Sequence, residues 1–141
     1  MIDYENKTAS RYSLDTLLKI TDSLTKQDVE LILTCNDEIR EINSEFRHID
    51  SATDVLSFPN EPMPFAPLGS VVISDDYVKK VAKELGHSEE DEFTLLYIHG
   101  LLHLLGYDHE VDKGQMRQKE RELIEKFNLP ESLIIRTLKE N

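Results

Sequence analysis

The sequence predicts an α+β domain, a small mixed sheet packed with helices around one buried helix. Short stretches of alternating apolar residues mark strands, and apolar residues at helical spacing mark amphipathic helices between them. One late segment, Phe93 to Leu105, is apolar on nearly every side, the signature of a helix enclosed by the rest of the fold. The 141 residues fit a single domain, residues 1–141, with no internal repeat, low-complexity tract or linker to divide it.

Residues 1–7 carry a weak strand pattern. Over residues 10–24, Tyr12, Leu14, Leu17, Leu18 and Leu24 fall at helical spacings, with Ser10 or Ser13 available as a cap. Val29, Leu31 and Leu33 then alternate as a strand with one well-buried face. Asn36 is the expected cap of a second helix, whose apolar stripe is Ile39, Ile42 and Phe46. A polar connection after Arg47 leads to the strand Thr53–Phe58. Four prolines, Pro59, Pro62, Pro64 and Pro67, make the next stretch irregular, read as a surface connection rather than a lid. Leu68 to Ile73 is another strand. Ser74-Asp75-Asp76 opens a helix that Gly86 can end after Leu85. Ser88-Glu89-Glu90-Asp91 opens the buried helix, its acidic residues matching the positive end of the helix dipole. Gly106 ends it. A charged amphipathic helix from about Lys113 to Phe127 and a short helical stretch after Pro130 complete the chain.

Hydrophobic residues at 39% and charged residues at 31% are ordinary for a soluble domain. Nothing at the N-terminus resembles a signal peptide, and no apolar run approaches the ~18 residues that cross a bilayer, so a cytoplasmic protein with no membrane partner is expected. The single cysteine, Cys35, follows an apolar run and reads as a small buried hydrophobe. A net charge of −12 repels nucleic acid at long range, so any nucleic-acid partner must be held by a local cluster of Arg or metal charge.

Chemistry concentrates between residues 99 and 109, His-Gly-Leu-Leu-His-Leu-Leu-Gly-Tyr-Asp-His, which hold three of the five histidines. Residues four apart lie on one helix face, so His99 and His103 can aim at a common atom. Gly106 can reverse the chain, and His109 follows from the turned-back segment. Three histidines leave the fourth corner of a tetrahedron open, the arrangement of a catalytic rather than a structural zinc. Neutral imidazoles favour one Zn²⁺ per chain; nickel, copper or iron could take the same ligands. Two unpaired imidazoles in an apolar helix would otherwise be costly to bury. Asp108 is expected to orient a ligand imidazole, Asp54 to pin a turn or face the site, and His48 and His87 to be ordinary surface histidines.

The ligand spacing matches the metzincin proteases, whose general base is a glutamate directly after the first histidine. Here that position is Gly100, which argues against a peptidase. The segment more closely resembles the YbeY family, whose pattern His-Gly-x-Leu-His-Leu-x-Gly-Tyr-Asp-His is matched at every fixed position. Arg47 with Thr53-Asp54-Val55-Leu56-Ser57-Phe58 resembles a second family segment, Leu68-Gly69 opens a third, and Met116 with Glu120 falls where the family has a similar pair. One departure is Ser70, where the family usually carries Asp.

The resemblance implies a zinc-dependent single-strand endoribonuclease acting on small-subunit (16S) rRNA 3′-end maturation and ribosome quality control. Its metal would sit on His99, His103 and His109, with Arg47 and His99 as catalytic residues. Arg47 would meet the scissile phosphate, since its planar fork suits phosphate. Arg40, seven residues earlier on the same helix, reads as a solvated arginine. The implied partners are rRNA, the small ribosomal subunit and its associated proteins, with no DNA. No residue announces itself as general base. The alternative is a non-catalytic ribosome-assembly factor stabilised by zinc.

Overall fold

In the computed structural model, residues 1–63, 65–107 and 114–130 are described. Four strands form one mixed sheet: β1 (Ile2–Asn6), β2 (Val29–Thr34), β3 (Val55–Pro59) and β4 (Gly69–Ser74), in the spatial order β1-β2-β4-β3. β1 and β2 are parallel, β2 and β4 are parallel, and β3 closes the far side antiparallel to β4. The helices are α1 (Asp15–Leu24), α2 (Asn36–Arg47), α3 (Asp75–Leu85), α4 (Glu89–Leu104) and α5 (Gln115–Lys126). The α+β reading holds.

Strand alternation divides the sheet into two faces. Val29, Leu31 and Leu33 of β2 join Val71 and Ile73 of β4 on one face, packed with Leu17 and Ile20 of α1, Val78 of α3, much of α4, and Met116 and Leu123 of α5. Val72 and Leu56 point the other way and pack with Ile39 of α2, ringed by the half-buried Ile32, Ile42, Ala52 and Phe58. Each fully buried aliphatic side chain stabilises the fold by about 1.5–3 kcal/mol. The α2 layer, with three such residues, is therefore held far less strongly than the other face.

α4 runs through the larger core, where Phe93, Tyr97, Ile98 and Leu101 are wholly buried, while Leu95 is buried against Ile124 of α5. Ser88 caps it, its Oγ accepting the Asp91 N–H at 3.0 Å. The buried Tyr97 hydroxyl meets Thr21 Oγ1 at 2.7 Å, and burial pushes its pKa up to about 12.

Several local expectations change. Residues 10–14 are not helical, because Ser10 Oγ and the Tyr12 hydroxyl both donate to the Asp75 carboxylate at 2.6 Å and hold that segment against α3. Cys35, expected in the core, is exposed: β2 stops at Thr34 and Cys35 takes the N-cap position of α2. Asn36 is instead the first residue of α2, and its Oδ1 accepts from Ser74 Oγ at 2.7 Å. Phe46 lies on the apolar stripe of α2 but is 63% exposed, because the stripe overruns the sheet there. It packs edge-on against Phe58 at 5.6 Å. The His87 side chain is only 3% exposed and contacts the buried Glu92 carboxylate at 2.8 Å, so it is no surface histidine; His48 is exposed as expected. The helix expected after Pro130 lies outside the described residues.

Candidate active site

α4 presses so closely on the sheet that a side chain at residue 100 has no room. A Cβ on Gly100 would sit 2.7 Å from Val71 Cγ1 and 3.2 Å from Ser57 Oγ. The Gly100 carbonyl accepts from Ser57 Oγ at 3.2 Å, which ties α4 to β3. This contact explains why the glutamate of the metzincin pattern is absent here, and it fixes the depth at which the neighbouring His99 sits.

His99 and His103, one turn apart, turn toward each other with their Nε2 atoms 3.2 Å apart and their rings edge to face. His99 Nδ1 lies 3.3 Å from Oε1 of Glu120, a wholly buried carboxylate of α5. In the tautomer Glu120 selects, Nδ1 carries the proton and Nε2 turns its lone pair outward. Sequence reasoning gave Glu120 no role. A signal existed: it shares the buried stripe of α5 with Met116, Leu123 and Ile124, and a carboxylate among apolar residues there needs a partner.

α4 ends in a Schellman turn. Gly106, at φ +100°, donates to the His103 carbonyl at 3.0 Å, and Tyr107 donates to the Leu102 carbonyl at 3.0 Å. The expected reversal at Gly106 is there. His109 and Asp108 lie outside the described residues, and no group of three metal-binding side chains occurs among the described ones.

Arg47 reaches the same place from the opposite face of the sheet. It is the last residue of α2, followed by His48 in the left-handed region at φ 59°. Asn43, buried on α2, donates through Nδ2 to the Ser51 carbonyl at 2.9 Å and fixes the exit of the helix. A cleft of about 530 Å³ gathers Arg47, His99 and His103 with Asp54, Ser57, Pro59 and Tyr107. Asp54 faces the cleft and also pins its turn, Oδ1 accepting the Val55 N–H at 2.8 Å. Arg40 is elsewhere, in a bidentate pair with Asp50 at 2.8 and 3.1 Å that holds the Asp50 carboxyl below its ordinary pKa.

The spacing of His99 and His103 fits two corners of a tetrahedral zinc site. Zn–N bonds of about 2.0–2.1 Å at tetrahedral angles separate two ligand nitrogens by about 3.3 Å. The observed Nε2 separation is 3.2 Å. A carboxylate behind a ligand imidazole is the usual support of such a ligand, and Glu120 would give His99 that support if it held a metal.

A family model described as Endoribonuclease YbeY matches residues 2–128. The chain is 60% identical over 136 residues to an Endoribonuclease YbeY of Nautilia profundicola, spanning 96% of this chain and 98% of that one. It is 56% identical to an Endoribonuclease YbeY of Sulfurimonas denitrificans, spanning 97% and 99%. The solution structure of a Thermotoga maritima protein matches with a TM-score of 0.66 and 30% identity, covering 90% of this chain and 89% of that one.

Proposed function

The chain belongs to the YbeY family, and from that premise we propose that it is a zinc-dependent endoribonuclease of single-stranded RNA. Its substrate in this reading is the 3′ region of 16S rRNA, met on the small ribosomal subunit with its associated proteins in maturation and quality control. The observation that carries the reading is the pair of Nε2 atoms, 3.2 Å apart, in a cleft shared with Arg47. His99, His103 and His109 would hold one zinc, with Glu120 fixing the His99 tautomer.

When bound, zinc supplies Lewis acidity, polarising a phosphoryl oxygen and acidifying water. Arg47 binds and orients the phosphodiester, its fork pairing with two oxygens of the phosphate. The half-buried His99 and His103 form the inner wall of the cleft, while the exposed Arg47 meets the phosphate at its mouth. A chain of net charge −12 depends on that local positive charge to bring RNA in at all. The 530 Å³ cleft opens beside the exposed end of α2, where an unpaired strand can enter.

The test joins elemental analysis to RNA cleavage. Wild-type protein is expected to carry about one zinc per chain and to cut single-stranded RNA, while His103→Ala loses both. Arg47→Ala is expected to keep its zinc and melting temperature but lose cleavage. Zinc bound without any cleavage would favour the assembly-factor reading. No metal in well-folded protein offered zinc would overturn both.

A further inference from the structure

β3 is the outer strand of the sheet, and its main chain forms one wall of the cleft. Leu56 lines the cleft although it is only 2% exposed and packs with Val72, so it does so by its backbone. In an antiparallel pair, alternate residues turn their N–H and C=O groups toward the partner or away from it. Ser74 N–H donates to the Asp54 carbonyl and Asn60 N–H to the Leu68 carbonyl. With the register Leu56 to Val72 and Phe58 to Ser70, the even-numbered residues of β3 face β4. Val55, Ser57 and Pro59 therefore turn their backbone groups outward.

An exposed strand edge is ordinarily a template for another strand. Here that use is blocked at both ends. The Val55 N–H is taken by Asp54 Oδ1, and Pro59 has no N–H. Ser57 alone keeps an outward donor beside an outward acceptor, within the cleft that holds Arg47 and the two histidines.

The geometry points to this main-chain pair as the element that reads ribose. Resting on the endoribonuclease reading, the Ser57 N–H donates to a phosphate oxygen, and the Ser57 C=O accepts from the 2′-hydroxyl of the same nucleotide. A ribonucleotide presents that acceptor and that donor side by side, whereas DNA lacks the donor. Arg47 supplies the charge that draws the phosphate to this wall rather than to the acidic surface elsewhere. A peptide strand needs repeated donors along the edge, and Ser57 offers one.

The test uses the zinc-loaded full chain. In the wild-type protein, the Ser57 amide resonance is expected to shift and its hydrogen exchange to slow on adding single-stranded RNA. DNA of the same sequence keeps the phosphate but lacks the 2′-hydroxyl, so both changes should be markedly smaller with it. Ser57→Pro, tolerable at an outward-facing edge position, removes the N–H, while Ser57→Ala removes only the hydroxyl. Ser57→Pro is expected to fall roughly 10- to 100-fold further than Ser57→Ala in kcat/KM on RNA, the worth of one hydrogen bond to a charged group. A Ser57 amide indifferent to RNA in a protein that cuts RNA overturns the inference, and so does one that answers RNA and DNA alike. A response to an extended peptide and not to RNA overturns it as well. A response to RNA in a protein that cuts none supports ribose reading and defeats the nuclease reading instead.

Discussion

The contact between α4 and β4 at Gly100 can be tested by one methyl group. In Gly100→Ala the new Cβ meets Val71 Cγ1 at 2.7 Å, about an ångström inside the comfortable carbon–carbon distance. Val71 is wholly buried and β-branched, so it has no free rotamer to yield. Overpacking of this kind costs about 1–3 kcal/mol, and the depth of the clash puts it near the upper end. Replacing Gly by Ala within a helix returns about 1 kcal/mol. The net expectation is a loss of about 2 kcal/mol, or roughly 5–10 °C in melting temperature. Urea unfolding measures the first and calorimetry the second. Val71→Ala makes room, so the double variant should lose at least about 1 kcal/mol less than the two single losses added together. If Gly100→Ala proves as stable as the parent, or the two losses simply add, the close approach of α4 to β4 is refuted. The same clash predicts that Gly100→Glu disrupts folding rather than creating a peptidase.

Two further outcomes test the surroundings of the site. Glu120→Gln keeps the shape but removes the charge behind His99, and is expected to weaken zinc binding about 10- to 100-fold, read by chelator competition. Tyr97 should govern alkaline stability: its pKa is raised by burial to about 12, so the folded protein keeps a proton that the unfolded chain releases from about pH 10. The stability it contributes is whole below pH 10 and is lost as pH rises toward 12, on the order of 2–3 kcal/mol. Tyr97→Phe should flatten that decline, at a cost of about 1 kcal/mol near neutral pH for the lost bond to Thr21; an unchanged alkaline decline would show that Tyr97 is not its source.

Much of this was legible along the chain because it is periodic. The alternation at Val29, Leu31 and Leu33 and the all-round apolar run of α4 fix the sheet face and the central helix before any contact is known. The adjacency of His99 and His103 follows from a spacing of four, and the turn at Gly106 from the need for positive φ. What was illegible depends on partners distant in sequence. Nothing near residue 120 announces His99, and nothing near residue 10 announces Asp75, which keeps the start of α1 from winding. Cys35 misleads because an apolar run says that a strand is buried, not where it stops. His87 misleads because its partner Glu92 sits on the first turn of α4, where an acidic residue is expected for the dipole alone.

The two arms of the cleft stand on opposite faces of the sheet, and this separates their fates under heat. The histidines belong to the large core around α4, while Arg47 hangs on the small cluster of Ile39, Leu56 and Val72. Subglobal opening follows the weaker contacts first. Detachment of α2 would carry the Arg47 charge away from an intact pair of imidazoles, leaving a protein still folded by most probes but, in the proposed mechanism, unable to grip its substrate. Ile39, Leu56 and Val72 thus govern alignment as much as stability, and thickening that thinner layer would keep the two arms together to higher temperature.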